Sequence, residues 1–253
     1  MSSIDLSGNE FKVLTVNTHK GFNWSSRKFI LSDLKEAIQK TNPDLVFLQE
    51  VLGEHELLAK RYAKLWPSVS QYEFLADSIW SNWAYGRNAV YPSGHHGNAI
   101  LSHYEINQWH NYDVSLNGIE RRGLLYCHIN KGGRSIHTVC VHLSLRESHR
   151  QIQIKKLIEL CQTFPKGEPV IVAGDFNDWM QKGHQLIELG GDLEEAFAKM
   201  HGKPFRTFPA VLPILRLDRI YTRNIEGVRP VEIPRKPWSS LSDHKPLMVS
   251  LDI

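Results

Sequence analysis

Residues 170–178 read Val-Ile-Val-Ala-Gly-Asp-Phe-Asn-Asp, VIVAGDFND, and the rest of the chain falls into place around this stretch. Its unbroken apolar start fits a strand buried on both faces. The strand then meets a glycine, a carboxylate and an amide. The same succession recurs. Residues 11–16 (FKVLTV) run into Asn17, residues 45–48 (LVFL) into Gln49 and Glu50, and residues 137–141 (HTVCV) into His142. Two further strands open on such groups: Asp218 precedes residues 219–221, and Asp243-His244 precedes residues 246–251. In antiparallel packing the ends of some strands and the starts of others share an edge, so these clusters are expected to meet at one rim. A single polar cluster is what any loop would supply. Together they bring carboxylate, amide and imidazole with little Ser or Lys. That oxygen-rich inventory suits a hard cation such as Mg²⁺ better than zinc.

Helical spacing is clearest over residues 146–164, where Ile154, Leu157, Ile158 and Cys161 form one apolar stripe that Pro165 and Gly167 end. Residues 28–40 read as a second helix through Leu34, Ala37 and Ile38. Further short strands are expected at 73–76, 88–91, 98–102, 108–114, 123–129, 135–142, 217–221 and 226–231. Helices and strands do not alternate strictly, so two packed sheets with helices outside fit better than one parallel sheet. With no repeat or linker-like segment, residues 1–253 are expected to form one domain.

The 253 residues are 42% hydrophobic with a formal charge of +3. The mean hydropathy is −0.33. This describes an ordinary core and permits an anionic substrate, but lacks the basic stripe of a high-affinity duplex binder. Cys127, Cys140 and Cys161 make an odd set without CxxC, which argues against a disulfide framework or zinc ribbon and for a reducing, cytoplasmic setting. The opening residues lack a signal-peptide pattern, and no apolar run has the length of a membrane span.

The ordered strings TVNTHKG, FLQEV, HHGNAILS, RRG, VHLSL, VAGDFND, RLDRIY and LSDHKPL together resemble the endonuclease/exonuclease/phosphatase superfamily, from Lys12 to Leu251. The resemblance implies an α/β (α+β) fold, a four-layer α-β-β-α sandwich of two mostly antiparallel sheets packed face to face with helices outside. It also implies a phosphoesterase that uses Mg²⁺, with Mn²⁺ able to substitute. On the matching positions, Asn17 and Glu50 would hold the metal, with Asp243 beside it. Asp175 would orient or deprotonate water, Asn177 and His142 would contact the phosphate, and Asp218 would orient His244. The substrate would be DNA, RNA or a phospholipid-like diester, with no stable protein partner evident. The alternatives are a phosphomonoesterase of the same fold and an inactive binding protein that retains it.

Several residues lie beside this set. Arg122 is a candidate phosphate contact; since neighbouring strand residues face opposite ways, Arg121 and Arg122 cannot both serve. Asn98 is expected at a strand start, bonding His142 or substrate. His95 and His96 read as loop residues, and His19 as a possible rim residue. Cys140, two residues before His142, reads as a buried thiol rather than a zinc ligand. Trp179 and Trp238 flank the GDFND and SDH motifs and are candidate cleft residues.

Overall fold

The computed structural model describes residues 10–77, 79–116 and 120–253. Its first part runs β1 (Glu10–Asn17), α1 (Leu31–Thr41), β2 (Leu45–His55), α2 (Glu56–Arg61), α3 (Gln71–Ala76), β3 (Asn82–Tyr91) and β4 (Gly94–Ser102). Next come β5 (Glu105–Asp113), β6 (Gly123–Lys131), β7 (Arg134–His142), α4 (Glu147–Gln162), β8 (Val170–Asp175) and α5 (Lys182–Gly190). They are followed by β9 (Glu194–Glu195), α6 (Ala196–His201), β10 (Asp218–Arg223), β11 (Glu226–Val231), α7 (Arg235–Leu241) and β12 (Leu247–Asp252).

Two six-stranded sheets result, ordered β11-β12-β1-β2-β4-β3 and β5-β6-β7-β8-β10-β9. Each holds one parallel pair, β1 with β2 and β7 with β8, while its other neighbours are antiparallel. A parallel pair needs a crossover, and α1 and α4 supply them. Alternate strand residues explain the layers. Phe11, Val13, Phe47, Ile100, Cys140, Ile171 and Val249 face the core between the sheets. Leu14, Val46 and Leu48 pack outward on Leu34 and Ile38 of α1. Val139, Val141 and Val172 pack outward on Ile154, Leu157 and Cys161 of α4. Full burial of each such side chain is worth about 1.5–3 kcal/mol, and a one-residue slip would exchange the two faces of a strand. The expected four-layer sandwich is what forms. Among the described residues no helix is long and apolar enough to cross a membrane.

Several sequence readings need correction. Residues 73–76 belong to helix α3, not to a strand: Ser70 and Glu73 form a reciprocal capping box that starts it. The first helix begins at Leu31 rather than at residue 28, because Phe29 is held in a β-bridge with Phe22. His95 and His96 lie on β4, and Asn98 is inside that strand rather than at its start. Trp238 is 2% exposed and belongs to the core beneath α7, so it lines no cleft. The short helices α2, α5, α6 and α7 carry too few apolar repeats to announce themselves.

Candidate active site

The parallel pairs deliver the C-terminal ends of β1, β2, β7 and β8 to one edge. β10 and β12, antiparallel to their neighbours, begin there. Two backbone devices shape the edge. In β8, Gly174 has φ of +143° and lies so close to β7 that a Cβ would stand 2.0 Å from the Val141 carbonyl oxygen. This close approach sets Asp175 between His142 of β7 and Asp218 of β10 in register. In β2 the strand does not stop at Leu48. The pairing passes from Leu48 with Ala99 to Val51 with Gly97, so Gln49 and Glu50 bulge opposite Asn98. Glu50 adopts φ of +56°, a left-handed conformation that costs a non-glycine residue about 1–3 kcal/mol. The bulge separates the two side chains. Gln49 is fully buried on Thr15 and the Cys140 thiol, while Glu50 meets Lys20 at 3.2 Å.

Asp175 is the hub. One carboxylate oxygen accepts from the Asn177 backbone N–H at 2.9 Å. The other accepts from the Asn17 amide at 3.3 Å and lies 3.7 Å from His142 Nε2 and 3.8 Å from His244 Nε2. Those last two distances are too long for hydrogen bonds, so both rings stand across a gap from the carboxylate. Asn177, at φ +49°, donates its side-chain amide to the Leu143 carbonyl at 2.9 Å. His244 Nδ1 is 2.8 Å from Asp218 Oδ2, which fixes the ring. Ser242 ties the last loop to the first strand: its hydroxyl donates to the Asn17 carbonyl at 2.7 Å and accepts the His244 backbone N–H at 3.2 Å.

The two histidines differ in charge. Burial first, then the Arg122 guanidinium, drive His142 well below the ordinary imidazole range, leaving it neutral. Burial acts the same way on His244, but the carboxylates of Asp218 and Asp175 outweigh it and raise the ring to about 10. Burial pushes the Asp175 carboxyl up to about 6 against the pull of His244, with Asp218 adding to the rise. Burial opposes ionisation of Glu50 as well; there the positive charges of His142 when protonated and of Lys20 prevail and hold it down to about 2. Asp243 is 3.1 Å from His19 Nδ1, and burial notwithstanding, that bond and the charge of His244 keep its carboxyl below the usual range.

Contacts therefore join Asn17, His142, Asp175, Asn177, Asp218 and His244. Glu50 and Asp243 lie near enough to feel that cluster electrostatically. Arg122 is directed inward, donating to the Leu143 carbonyl at 3.2 Å, whereas Arg121 is exposed. Asn98 does something else: its amide donates to the Gly123 and Cys140 carbonyls of the facing sheet at 3.2 and 3.3 Å, not to His142. Cys140 is buried between the sheets. Among the described residues, Asp175, Asp218 and His244 each offer a possible ligand atom at this edge, within 4.8 Å of one another.

Sequence reasoning missed the support beneath the loop. Asp178 is fully buried and accepts from Arg219 at 3.1 Å and from the His184 backbone at 2.9 Å. Arg150, fully buried on α4, donates to the Ser144 and Leu145 carbonyls at 3.0 and 2.8 Å. These charges hold the chain that follows His142 and Asp175. Their signal was present, since Asp178 closes the VIVAGDFND stretch and Arg219 follows Asp218. Lys20 and Ser242 were missed too, although both stand inside the strings TVNTHKG and LSDHKPL.

Comparison with known proteins adds to this geometry. The sequence model of the Endonuclease/Exonuclease/phosphatase family matches residues 14–244. The chain is 51% identical over 245 residues to the uncharacterized protein YbhP of Escherichia coli, covering 96% of each. An endonuclease/exonuclease/phosphatase from Beutenbergia cavernae superposes with a TM-score of 0.73 at 16% identity, over 96% of this chain and 72% of that one. TDP2 of D. rerio, complexed with a single-strand DNA product, superposes with a TM-score of 0.68 at 17% identity, over 96% and 99%. At these identities the two structures speak to the fold.

Proposed function

Because the chain belongs to the endonuclease/exonuclease/phosphatase family, whose members are generally phosphoester hydrolases, we propose that it is a Mg²⁺-dependent phosphodiesterase acting on nucleic-acid or phospholipid-type diesters. The observation that carries this reading is the buried Asp175 carboxylate with two imidazoles across a gap of 3.7 and 3.8 Å, one neutral and one charged.

The rim suits a hard cation. Its acids, Glu50 and Asp243, are each met by a basic side chain, Lys20 and His19, which marks a place where positive charge is favoured. Asn17, Glu50 and Asp243 would hold Mg²⁺ through oxygen, a set that leaves room for the waters this ion retains. The compact Asp175–Asp218–His244 group is a poorer cage, because His244 is charged and its Nδ1 is held by Asp218. Mn²⁺ fits the same donors. When bound, the ion would neutralise the phosphate and polarise its P–O bond.

The residues of the chain supply the rest. Asp175, ionised near neutrality, accepts a hydrogen bond from water and aims it in line at phosphorus. Charged His244 donates from Nε2 to an oxygen on which negative charge develops, with Asp218 holding its tautomer and angle. Neutral His142 supplies a donor from the other side. Asn177, one of whose amide N–H groups is spent on the Leu143 carbonyl, would offer its second to the phosphate, and Arg122 would add a positive field. Trp179, 56% exposed beside Asp178, offers a stacking face for a base. The DNA product held by TDP2 of the same fold agrees with a diester substrate.

The test is hydrolysis of bis(p-nitrophenyl) phosphate, p-nitrophenyl phosphate, single-stranded DNA and phospholipid vesicles, with Mg²⁺, Mn²⁺ or EDTA. Diester cleavage is expected, abolished by EDTA, restored by Mg²⁺, and lost in Asp175→Asn and His244→Ala. Full activity in EDTA sinks the mechanism. Cleavage of the monoester alone replaces the diester reading with a phosphomonoesterase.

A further inference from the structure

A second set of ligand-type side chains lies at the opposite end of β7 from His142. His128 of β6 and His137 of β7 are cross-strand partners in register. Their rings stack at 5.1 Å and 13°. Glu168, just ahead of β8, reaches the same point: its Oε2 is 2.6 Å from His137 Nε2. One ligand atom from each of the three falls within 4.8 Å of the others. His142 lies five positions along β7 from His137, about 17 Å at the usual rise, so this group is independent of the rim.

The arrangement is built rather than incidental. The Tyr126 hydroxyl lies 3.0 Å from His137 Nδ1, which orients that ring and leaves Nε2 facing Glu168. The ring is also stacked on Phe164 at 4.5 Å and 10°. The backbone carrying Glu168 is fixed as well: its carbonyl accepts from the Asn224 amide at 2.9 Å, and the Pro169 carbonyl accepts from the His137 N–H at 2.9 Å. Against this, Nε2 of His128 is buried without a hydrogen-bond partner among the described residues. A ring nitrogen enclosed in that way favours a ligand. The nearby positive charge, Arg223, is turned to the Cys161, Phe164 and Pro165 carbonyls at the end of α4.

We propose that His128, His137 and Glu168 form a transition-metal site, with Zn²⁺ as its best-matched ion. Two imidazoles and one carboxylate are zinc ligands, and three protein ligands leave a fourth position for water. Mg²⁺ is a poor competitor, since imidazole suits softer ions. Tetrahedral zinc at about 2.0 Å from each ligand holds their atoms about 3.3 Å apart, so binding would replace the 2.6 Å His137–Glu168 hydrogen bond, widen that pair slightly and bring His128 to the same spacing by rotamer adjustment. The ion would clamp β6, β7 and the entry to β8 at the end of the sheet remote from the rim.

The test is Zn²⁺ titration of the full chain by calorimetry, with Co²⁺ absorption reporting the geometry, in the wild type and in a Glu50→Gln/Asp175→Asn chain whose rim is silenced. One saturable equivalent is expected to persist in the silenced chain, with a tetrahedral Co²⁺ spectrum and a Zn²⁺-dependent rise in Tm, whatever further equivalent the wild-type rim takes up. In His128→Ala affinity falls about a hundredfold or more, since loss of an outer-shell partner alone costs about 10–100-fold. Phosphodiesterase activity and metal-free Tm remain at the wild-type level. Glu168→Gln, on an accessible loop, repeats the loss if His128→Ala disturbs folding. Absence of saturable binding in the silenced chain, or binding indifferent to both His128→Ala and Glu168→Gln, overturns the proposal. Because the readout is metal binding away from the rim, its failure leaves the phosphodiesterase reading intact, and the reverse also holds.

Discussion

Glu50 and Asp175 occupy matching places. Each ends an apolar run on the second strand of a strand–helix–strand unit, β1-α1-β2 in one sheet and β7-α4-β8 in the other. Their carboxyls are nevertheless displaced in opposite directions, Glu50 to about 2 and Asp175 to about 6. Burial opposes ionisation in both. The difference lies in the neighbours: His142 when protonated, and Lys20 at 3.2 Å, hold Glu50 down, whereas Asp175 faces a second carboxylate, Asp218, as well as charged His244. Residue type and strand position do not assign the roles. On the proposed reading, the surrounding charges suit Glu50, held as an anion, to a metal, and Asp175, which takes a proton near neutrality, to the part of the base.

The largest break of this comparison is Asp175→Asn, which removes the base and is expected to lower kcat by about 10²–10⁴-fold in diester hydrolysis. The wild-type profile should be bell-shaped. Asp175 must be ionised, so the rate falls as pH drops through about 6; His244 must be charged, so it falls again as pH rises through about 10. Glu50→Gln should act differently, raising the half-saturating Mg²⁺ concentration by about tenfold or more while saturating Mg²⁺ restores most of kcat.

A third buried acid extends the comparison away from the rim. Glu195, 1% exposed on β9, is pushed up to about 7 by burial, against the backbone N–H groups that face it. Its folded value exceeds the unfolded one, so its contribution to stability is complete below about 4.5 and is lost as pH rises through about 7. The loss is at most about 1.4 kcal/mol per pH unit. Glu195→Gln should flatten that decline in denaturant midpoints measured from pH 5 to 8. The smallest effect is expected from Lys20→Met. With the competing ammonium gone, the Mg²⁺ requirement should fall, opposite to Glu50→Gln, by about fivefold at most, since partly exposed ion pairs are worth about 0–1 kcal/mol.

Much of the fold was legible because long apolar runs report burial directly. The strands around Val13, Phe47, Val139 and Val172 and the α4 stripe were read from periodicity alone. The four-layer arrangement came with the family resemblance. What escaped was decided by single residues against the local pattern. The capping box turned residues 73–76 into a helix, and a bulge carried β2 past Leu48. Asn98 and Trp238 were placed at the edge by their sequence neighbours, yet packing buried both. The convergence of polar strand ends could be anticipated, but not their electrostatics. The opposite charge states of His142 and His244 depend on partners such as Arg122 and Asp218, far away along the chain.

The Ser242 hydroxyl bridges residues 225 positions apart, and β12 lies in the sheet between β1 and β11. During synthesis β1 therefore leaves the ribosome long before the strand that flanks it and the imidazole that completes its end. Until that strand docks, Asn17 and Asp175 have no His244 to work with. An enzyme of the proposed kind would thus be inert throughout the translation of the intervening sequence, while it remains tethered to a nucleic acid, one of the two diester classes proposed for it.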